Sequence, residues 1–453
     1  MDEKDIIIKA LQDHIKILTA RIAELERRLR LNSSNSGKPP STDGLAKRPP
    51  QSLRKKGEKK SGGQLGHKGE TLKQVSTPDH IERYTLKSCP SCQSDLISIP
   101  AHSIQRRQVF DIPEPKIEVT EHQAEVKICT CGQRCVGVFP LEVKAPVQYG
   151  NLVQALSIYL NHRQLIPEDR VVEVFRDIFA LTISSAIVVA AGEQLATVLK
   201  PWQQDAEEKL TTAPVKHLDE TGFRVEKKTQ WLHVMSNKEA TVYRISPNRG
   251  KMFANLLGTI IHDCFKSYYA LIGVLHALCN AHLLRELKAL TQFEKEPWAW
   301  VMALLLRSAN QYPEKKARII VLYDLIVAKG LHYHESLEPL AKGKRGRQKR
   351  RIGHNLLLRL KNHKNDVLRF LSDPQVAFTN NLAEQDLRMM KVKMKISGGF
   401  RTMQGAKTFC TIRSFTSTCR KQGINIFQAI SQANVGFLPD ISIDQPQILA
   451  KAA

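Results

Sequence analysis

At 453 residues the chain exceeds one ordinary hydrophobic core, and the usual domain size divides it into roughly three or four units. Lys and Arg number 68 against 44 Asp and Glu, so a formal charge of +24 surrounds the protein with a field suited to a polyanion, nucleic acid first. The strongest apolar run, 178–191, is shorter than the roughly 18–20 residues that span a bilayer, so no membrane partner is expected.

The N-terminus lacks a signal-peptide apolar core with a small-residue cleavage site, which leaves a reducing cytoplasm as the expected compartment. Of nine cysteines, five lie between Cys89 and Cys135, a spacing closer to metal ligation than to a disulfide framework.

Ile8, Leu11, Ile15, Leu18, Ile22, Leu25 and Leu29 recur at steps of three and four, which predicts a short coiled coil and self-association through residues 8–29. An amphipathic helix packed on the protein's own body would show the same pattern. From Asn32 to about Lys60 the apolar pattern stops and Asn, Ser, Pro, Gly and Lys dominate, as in a basic linker that tracks phosphates or simply tethers.

Cys89-Pro90-Ser91-Cys92 has the gap of a zinc knuckle. Its expected counterpart, Cys129-Thr130-Cys131, is one residue shorter, which leaves Cys135 as a competing ligand. Incidental thiols on a small reduced β unit are the alternative.

Three helical patterns follow between about Asn151 and Leu199, with Pro167 and Ser184 suited to helix starts. A helix-turn-helix fits, although three packed helices also occur in proteins that never meet DNA. Beyond Pro214 short β-like runs predict strands at 215–219, 231–235, 241–245, 258–262 and 275–278. Residues 281–371 read as helical, interrupted at 342–351, where seven of ten residues are Lys or Arg and an exposed phosphate-contacting loop is expected.

Asp219 is expected to end the first strand and Asp263 follows the fourth, although an acid after a strand is commonly a turn former or helix cap. His262, beside Asp263, would orient a carboxylate or water, or fill the strand's other face. Glu384 opens a helix that Thr379 or Asn380 caps and that runs through Lys395. Spacings of four, three and four put Glu384, Arg388, Lys391 and Lys395 on one face, beside an apolar row of Leu387, Met390 and Met394. Glu384 is then either a metal ligand or merely the partner of Arg388 in an exposed ion pair worth a few tenths of a kcal/mol, and spacing leaves both open.

The strings LNSSNSGKPPS, HLDETGFRV, HALCNAHLLREL, NNLAEQDLRMMKVKMKISGGFRT and FCTIRSFTSTCRKQG resemble, in order, successive blocks of the large transposase of the insertion sequence 66 family. The resemblance runs from the coiled coil nearly to the C-terminus. It implies a DDE transposase that binds the terminal inverted repeats of an element and joins them to target DNA. Asp219, Asp263 and Glu384 would be the catalytic acids holding two Mg²⁺ or Mn²⁺ ions. Strand counting agrees, because a ribonuclease-H-like sheet carries its first Asp on the first strand and its second on the adjacent fourth. The resemblance also implies Zn²⁺ on Cys89, Cys92, Cys129 and Cys131, and accessory proteins encoded by the same element. Cys279 and His282 match a Cys-x-x-His signature of transposases with helical insertions, a pair that ordinarily serves packing.

Arg388, Lys391, Lys395 and Arg401 are expected on DNA phosphates, in a bacterial, nucleoid-associated protein. The expected architecture is multidomain α+β: a coiled coil (1–31), basic linker (32–80), zinc-ribbon-like module (81–145) and helical, helix-turn-helix-like DNA-binding region (146–200). A ribonuclease-H-like α/β catalytic core (211–290 and 376–400) would follow, split by a helical insertion (291–375), with a C-terminal helical tail (401–453). Alternatives are a non-catalytic DNA-binding or regulatory protein from a decayed element, and a nuclease or resolvase on the same sheet.

Overall fold

The apolar row of the first thirty residues does form one helix, α1 (Glu3–Arg30), in the computed structural model, which describes residues 3–36, 43, 72–250, 252–340 and 348–440. Ile8, Leu11, Ile15, Leu18, Ile22, Leu25 and Leu29 are all exposed, so the row is not packed on the protein's own body. Among the described residues the C-terminal end of α1 and the turn after it meet the rest: Arg27 lies 3.9 Å from Glu294, and Lys288 donates to Ser34 at 3.4 Å. Most of the basic linker and residues 342–347 of the 342–351 stretch lie outside the described residues.

The cysteine-rich segment carries little regular structure. A short antiparallel pair, β1 (Val126–Ile128) and β2 (Arg134–Val136), and an isolated bridge between Ser88 and Asp95 are its ladders.

Three helices follow near the expected places: α2 (Asn151–Ile158, extended by a π turn over Tyr159–Arg163), α3 (Glu168–Phe179) and α4 (Ser185–Val198). Ser184 caps α4 by accepting the Ile187 N–H, as its residue type suggested. Next come α5 (Lys200–Thr212) and five strands, β3 (Val215–Val225), β4 (Lys228–Ser236), β5 (Thr241–Ser246), β6 (Thr259–His262) and β7 (Leu275–Leu278). They form one mixed sheet in the order β5-β4-β3-β6-β7, antiparallel on the β4 and β5 side and parallel on the β6 and β7 side. β3 outruns the expected strand because it pairs with β4 as far as Val225 opposite Lys228, across a two-residue turn whose Glu226 and Lys227 both have positive φ. Gly258 makes the approach to β6 possible: at φ +70° a Cβ there would sit 2.4 Å from the Pro214 carbonyl oxygen.

Alternation along the strands divides the apolar side chains between two cores. Leu218, Met235, Val242 and Ile260 join a core with α2, α4 and α5, whereas Phe223, Leu232, Val234 and Tyr243 join another. That second core receives Leu387 and Met390 from α11 (Asn381–Ser397), beyond the helices α6 (Asn280–Ala289), α7 (Pro297–Gln311), α8 (Lys316–Ser336), α9 (Ile352–Asn362) and α10 (Lys364–Leu368). These five intervening helices share a core of their own, containing Leu287, Met302, Tyr323 and Leu357, to which α6 contributes although it lies before residue 291.

The region expected as a C-terminal tail instead supplies a central element. α12 (Met403–Lys421) is buried along most of its length, and with α13 (Ile426–Asn434) it packs on α2 and α4. The helical segment at 151–199 therefore shares its core with residues 403–434 and with the sheet.

Candidate active site

Two parallel strands bring the aspartates side by side. Val215 faces Thr259, Lys216 faces Ile260 and His217 faces Ile261, so Asp219 and Asp263 each lie two residues past the last pair, near enough for the Asp263 charge to act on Asp219. Asp263 directly follows β6 as expected, but Asp219 stands in the middle of β3, not at its end, because the hairpin with β4 continues past it.

Both carboxyls are held above the usual carboxylate range. Burial is the largest cause for Asp219, which is pushed well up; Asp263, Glu220 and Glu384 add negative charge, and the Glu220 N–H donated to Asp219 at 2.9 Å opposes. Burial also leads for Asp263, followed by Glu220, against a Phe265 N–H donated at 3.1 Å and the charge of Arg249.

Sequence periodicity does not single out Glu220, Arg249 or Tyr268, yet they wall this pair. Arg249 sits 2.8 Å from Glu220, with its guanidinium 3.9 Å from the Phe265 ring centre and 4.8 Å from that of Trp231. The Tyr268 hydroxyl donates to Glu220, and burial together with the three nearby acids keeps its proton on. A cavity of about 10 Å³ beside Asp219, His233 and Tyr268 has room for roughly one water. His262 turns away from Asp263: its Nε2 is 3.0 Å from His276 Nδ1 and its ring packs on Tyr268 and Tyr269, so it fills the interior.

Glu384 enters on the first turn of α11, and Asn380 fixes where that turn begins. The Asn380 side chain donates to the Leu218 carbonyl at 2.7 Å; its Oδ1 lies 2.9 Å from His217 Nδ1, which must therefore carry the proton. Its backbone N–H donates to Cys279 Sγ at 3.1 Å. One asparagine thus staples α11 to β3 and to the β7–α6 junction, instead of capping its own helix as expected.

Glu384 Oε1 is 3.8 Å from His282 Nδ1 and 3.8 Å from Arg285, so the alternative pairing with Arg388 is not formed. Ligand atoms of Cys279, His282 and Glu384 lie within 4.8 Å of one another, and among the described residues no second set of three metal-ligating groups comes so close. Asp219, Asp263 and Glu384 accordingly do not close on a single point; Glu384 reaches Asp219 through its field. Burial, then Arg285 and Arg359, pulls the His282 imidazole down to about 3; burial, then Glu384, pushes the Cys279 thiol up to about 11.

The cysteines expected to bind zinc form two separate turns. In the first, Gln93 N–H bonds the Cys89 carbonyl at 2.9 Å; in the second, Gly132 N–H bonds the Cys129 carbonyl at 2.8 Å. Contacts with Ser94, then with Cys89, bring Cys92 down to about 7, and contacts with Cys131 lower Cys129. The Cys89–Cys92 turn and the Cys129–Cys131 turn are not brought to one ligand set, and Cys135 is likewise exposed.

Of the residues expected on DNA, Arg388, Lys395 and Arg401 are exposed and Lys391 half-buried, while Leu387 and Met390 pack inward as the helical spacing predicts.

Comparison with known proteins adds three findings. The family described as Transposase IS66 family matches residues 146–408, from just before α2 into α12. A family of unknown function, DUF6444, matches residues 1–73. The uncharacterized protein y4jO of Sinorhizobium fredii (strain NBRC 101917 / NGR234) is 35% identical over 72 residues, 16% of this chain and 22% of that protein.

Proposed function

Because the chain belongs to the transposase IS66 family, we propose that it binds the terminal inverted repeats of an insertion sequence and catalyses metal-dependent cleavage and strand transfer. Asp219, Asp263 and Glu384 are its proposed acids. The observation that carries this reading is the placement of Asp219 on β3 and of Asp263 directly after the parallel neighbour β6, where each carboxyl is burdened by buried negative charge. Hard oxygen donors at elevated pKa fit a divalent cation, whose charge would relieve their repulsion. When bound, two Mg²⁺ or Mn²⁺ ions supply activation of the attacking oxygen and stabilisation of the leaving oxygen.

The protein's own residues supply position and charge. Asp219 and Asp263 are fixed by the sheet, and Glu384 is brought by the helix that Asn380 anchors. Arg249 offsets the extra charge of Glu220. Arg388, Lys391 and Lys395 run along Glu384's helix and Arg401 lies just past its end, together a phosphate-binding strip. The sheet order, with antiparallel strands on one side of β3 and parallel strands on the other, supports a ribonuclease-H-like core with α7–α10, within residues 291–375, as its insertion. No serine or tyrosine nucleophile is required.

The remaining parts of the proposal concern assembly. The helices at 151–199 contribute to reading the terminal repeats, and the two cysteine turns join around Zn²⁺ if they serve the same purpose. Accessory proteins of the same element and association with the nucleoid are part of the same proposal. Among the described residues no helix is long and apolar enough to cross a membrane.

Incubating the purified protein with labelled element ends, target DNA and Mg²⁺ tests the reading. Nicked and joined products that disappear with EDTA are expected. End binding without cleavage would point instead to a regulatory protein, and cleavage without joining to a nuclease.

The exposed row of α1 leads to a second expectation, pairing of two ends through a coiled coil. Leu18→Lys combined with Leu25→Lys should reduce the mass measured by light scattering to that of a single chain and leave binding of one end within about threefold. An unchanged mass would remove α1 from assembly.

A further inference from the structure

Glu384 keeps company that two-metal chemistry on aspartates does not call for. Cys279 closes β7 and precedes α6, His282 follows one turn later, and α11 lays Glu384 beside both. The three ligand atoms lie within 4.8 Å of one another. A tetrahedral ion with bonds of about 2.0–2.3 Å needs neighbouring ligand atoms about 3.3–3.8 Å apart. His282 Nδ1 and Glu384 Oε1 already stand at 3.8 Å.

The arrangement is built rather than incidental. The Cys279 N–H bonds the His262 carbonyl at 2.8 Å, the Asn280 N–H bonds the Phe378 carbonyl at 3.1 Å, and the Asn280 side chain bonds the Val367 carbonyl at 3.1 Å. These bonds tie the Cys-x-x-His turn to the last residue of β6, next to Asp263, and to the segment leading into α11. His282 Nδ1 is buried without a hydrogen-bond partner, an orphaned ring nitrogen 3.8 Å from Glu384 Oε1. The donors are one sulfur, one imidazole nitrogen and one carboxylate oxygen. That set suits a thiophilic cation and is too soft and too poor in oxygen for Mg²⁺.

We propose that Cys279, His282 and Glu384 form a site for a d¹⁰ cation such as Zn²⁺, and that its occupation holds Glu384 on α6, away from Asp219 and Asp263. Binding releases the Cys279 proton to solvent. The fourth position is left for water. Arg285, 3.8 Å from Glu384, is the competing cation: it holds the carboxylate when the metal is absent and must swing aside when it binds. The protein thereby has two mutually exclusive places for one acid, and a soft metal at low concentration would oppose a hard metal at high concentration. The second half of the proposal rests on the catalytic reading of Glu384; the first half does not.

Titration of the full chain with Co²⁺, followed by thiolate-to-metal absorption, tests the site without reference to catalysis. Wild type should bind one more Co²⁺ equivalent than Cys279→Ser, and His282→Ala should lose the same equivalent, while the cysteines at 89–135 contribute equally to all three. Serine retains an acceptor for the Asn380 N–H, and unchanged binding of element-end DNA shows that each variant is folded. Equal Co²⁺ stoichiometry in folded wild type and Cys279→Ser overturns the site. If Mg²⁺ alone supports strand transfer, added Zn²⁺ should depress it by about tenfold or more in wild type and far less in Cys279→Ser. Equal inhibition of the two proteins overturns the link to Glu384. Failure of wild type to join DNA in Mg²⁺ would sink the catalytic reading and leave the Co²⁺ count to decide the site.

Discussion

Glu384→Gln is expected to bind element ends within about threefold of wild type and to lose strand transfer in Mg²⁺ by about 10³-fold or more. Glutamine keeps the size of the side chain and an oxygen that Arg285, 3.8 Å away, still meets. The helix that carries it is held from elsewhere, by Asn380 against His217 and Leu218 and by Leu387 and Met390 in the core. What the substitution removes is one negative charge beside Asp219, and with it attraction for a hard cation. Gel-shift titration and a joining assay on the same preparation separate the two effects. Joining above about one tenth of wild type would take Glu384 out of the mechanism, since loss of an essential charged ligand costs far more.

Asp386→Ala should destabilise the protein by about 3–5 kcal/mol, because it leaves a buried cation unpaired. Asp386 lies two residues beyond Glu384 on α11 and faces inward, where Lys421 approaches to 2.9 Å and Arg420 to 3.4 Å, and Thr241 donates a hydrogen bond at 3.0 Å. Its backbone carbonyl accepts the Tyr243 hydroxyl at 3.0 Å. These contacts lock α11 to β5 and to the end of α12. Burial lowers the Lys421 ammonium pKa even with Asp386 beside it, so the lysine depends on that partner and on the Asn237 and Ala240 carbonyls, 2.7 and 3.1 Å away. The double change Asp386→Leu with Lys421→Met should recover most of the loss, since replacing a buried pair by apolar side chains is often neutral. Urea midpoints of the three proteins measure this. A cost below about 1 kcal/mol for Asp386→Ala would mean that solvent reaches the pair.

Asp386 also marks the limit of sequence-based reasoning at this helix. The spacing of Glu384, Arg388, Lys391 and Lys395 identified an outward strip, and Leu387 and Met390 an inward one; Leu387 and Met390 are buried, whereas only Arg388 and Lys395 of the strip are exposed and Glu384 and Lys391 are half-buried. An aspartate between them carries no local sign of burial, because its partners lie about 35 residues later and 145 residues earlier.

Several features were legible from the chain alone because their causes are local. The apolar steps of α1, the β-like runs of β4 to β7, the cap at Ser184 and the start of α11 arise from neighbours within a few residues, and each stands close to its expected place. The tertiary structure alone decided the rest. β3 continues beyond Asp219 only because β4 pairs with it, and α12 leaves the expected tail for the interior only because α2, α4 and the sheet offer apolar surface to cover. Glu384 turns to Cys279 and His282, not to Arg388, because Asn380 is held by β3 and by the β7–α6 junction. Periodicity records which side of an element faces the core, whereas the meeting of side chains more than a hundred residues apart depends on strand register and helix anchoring, which no short window of sequence contains.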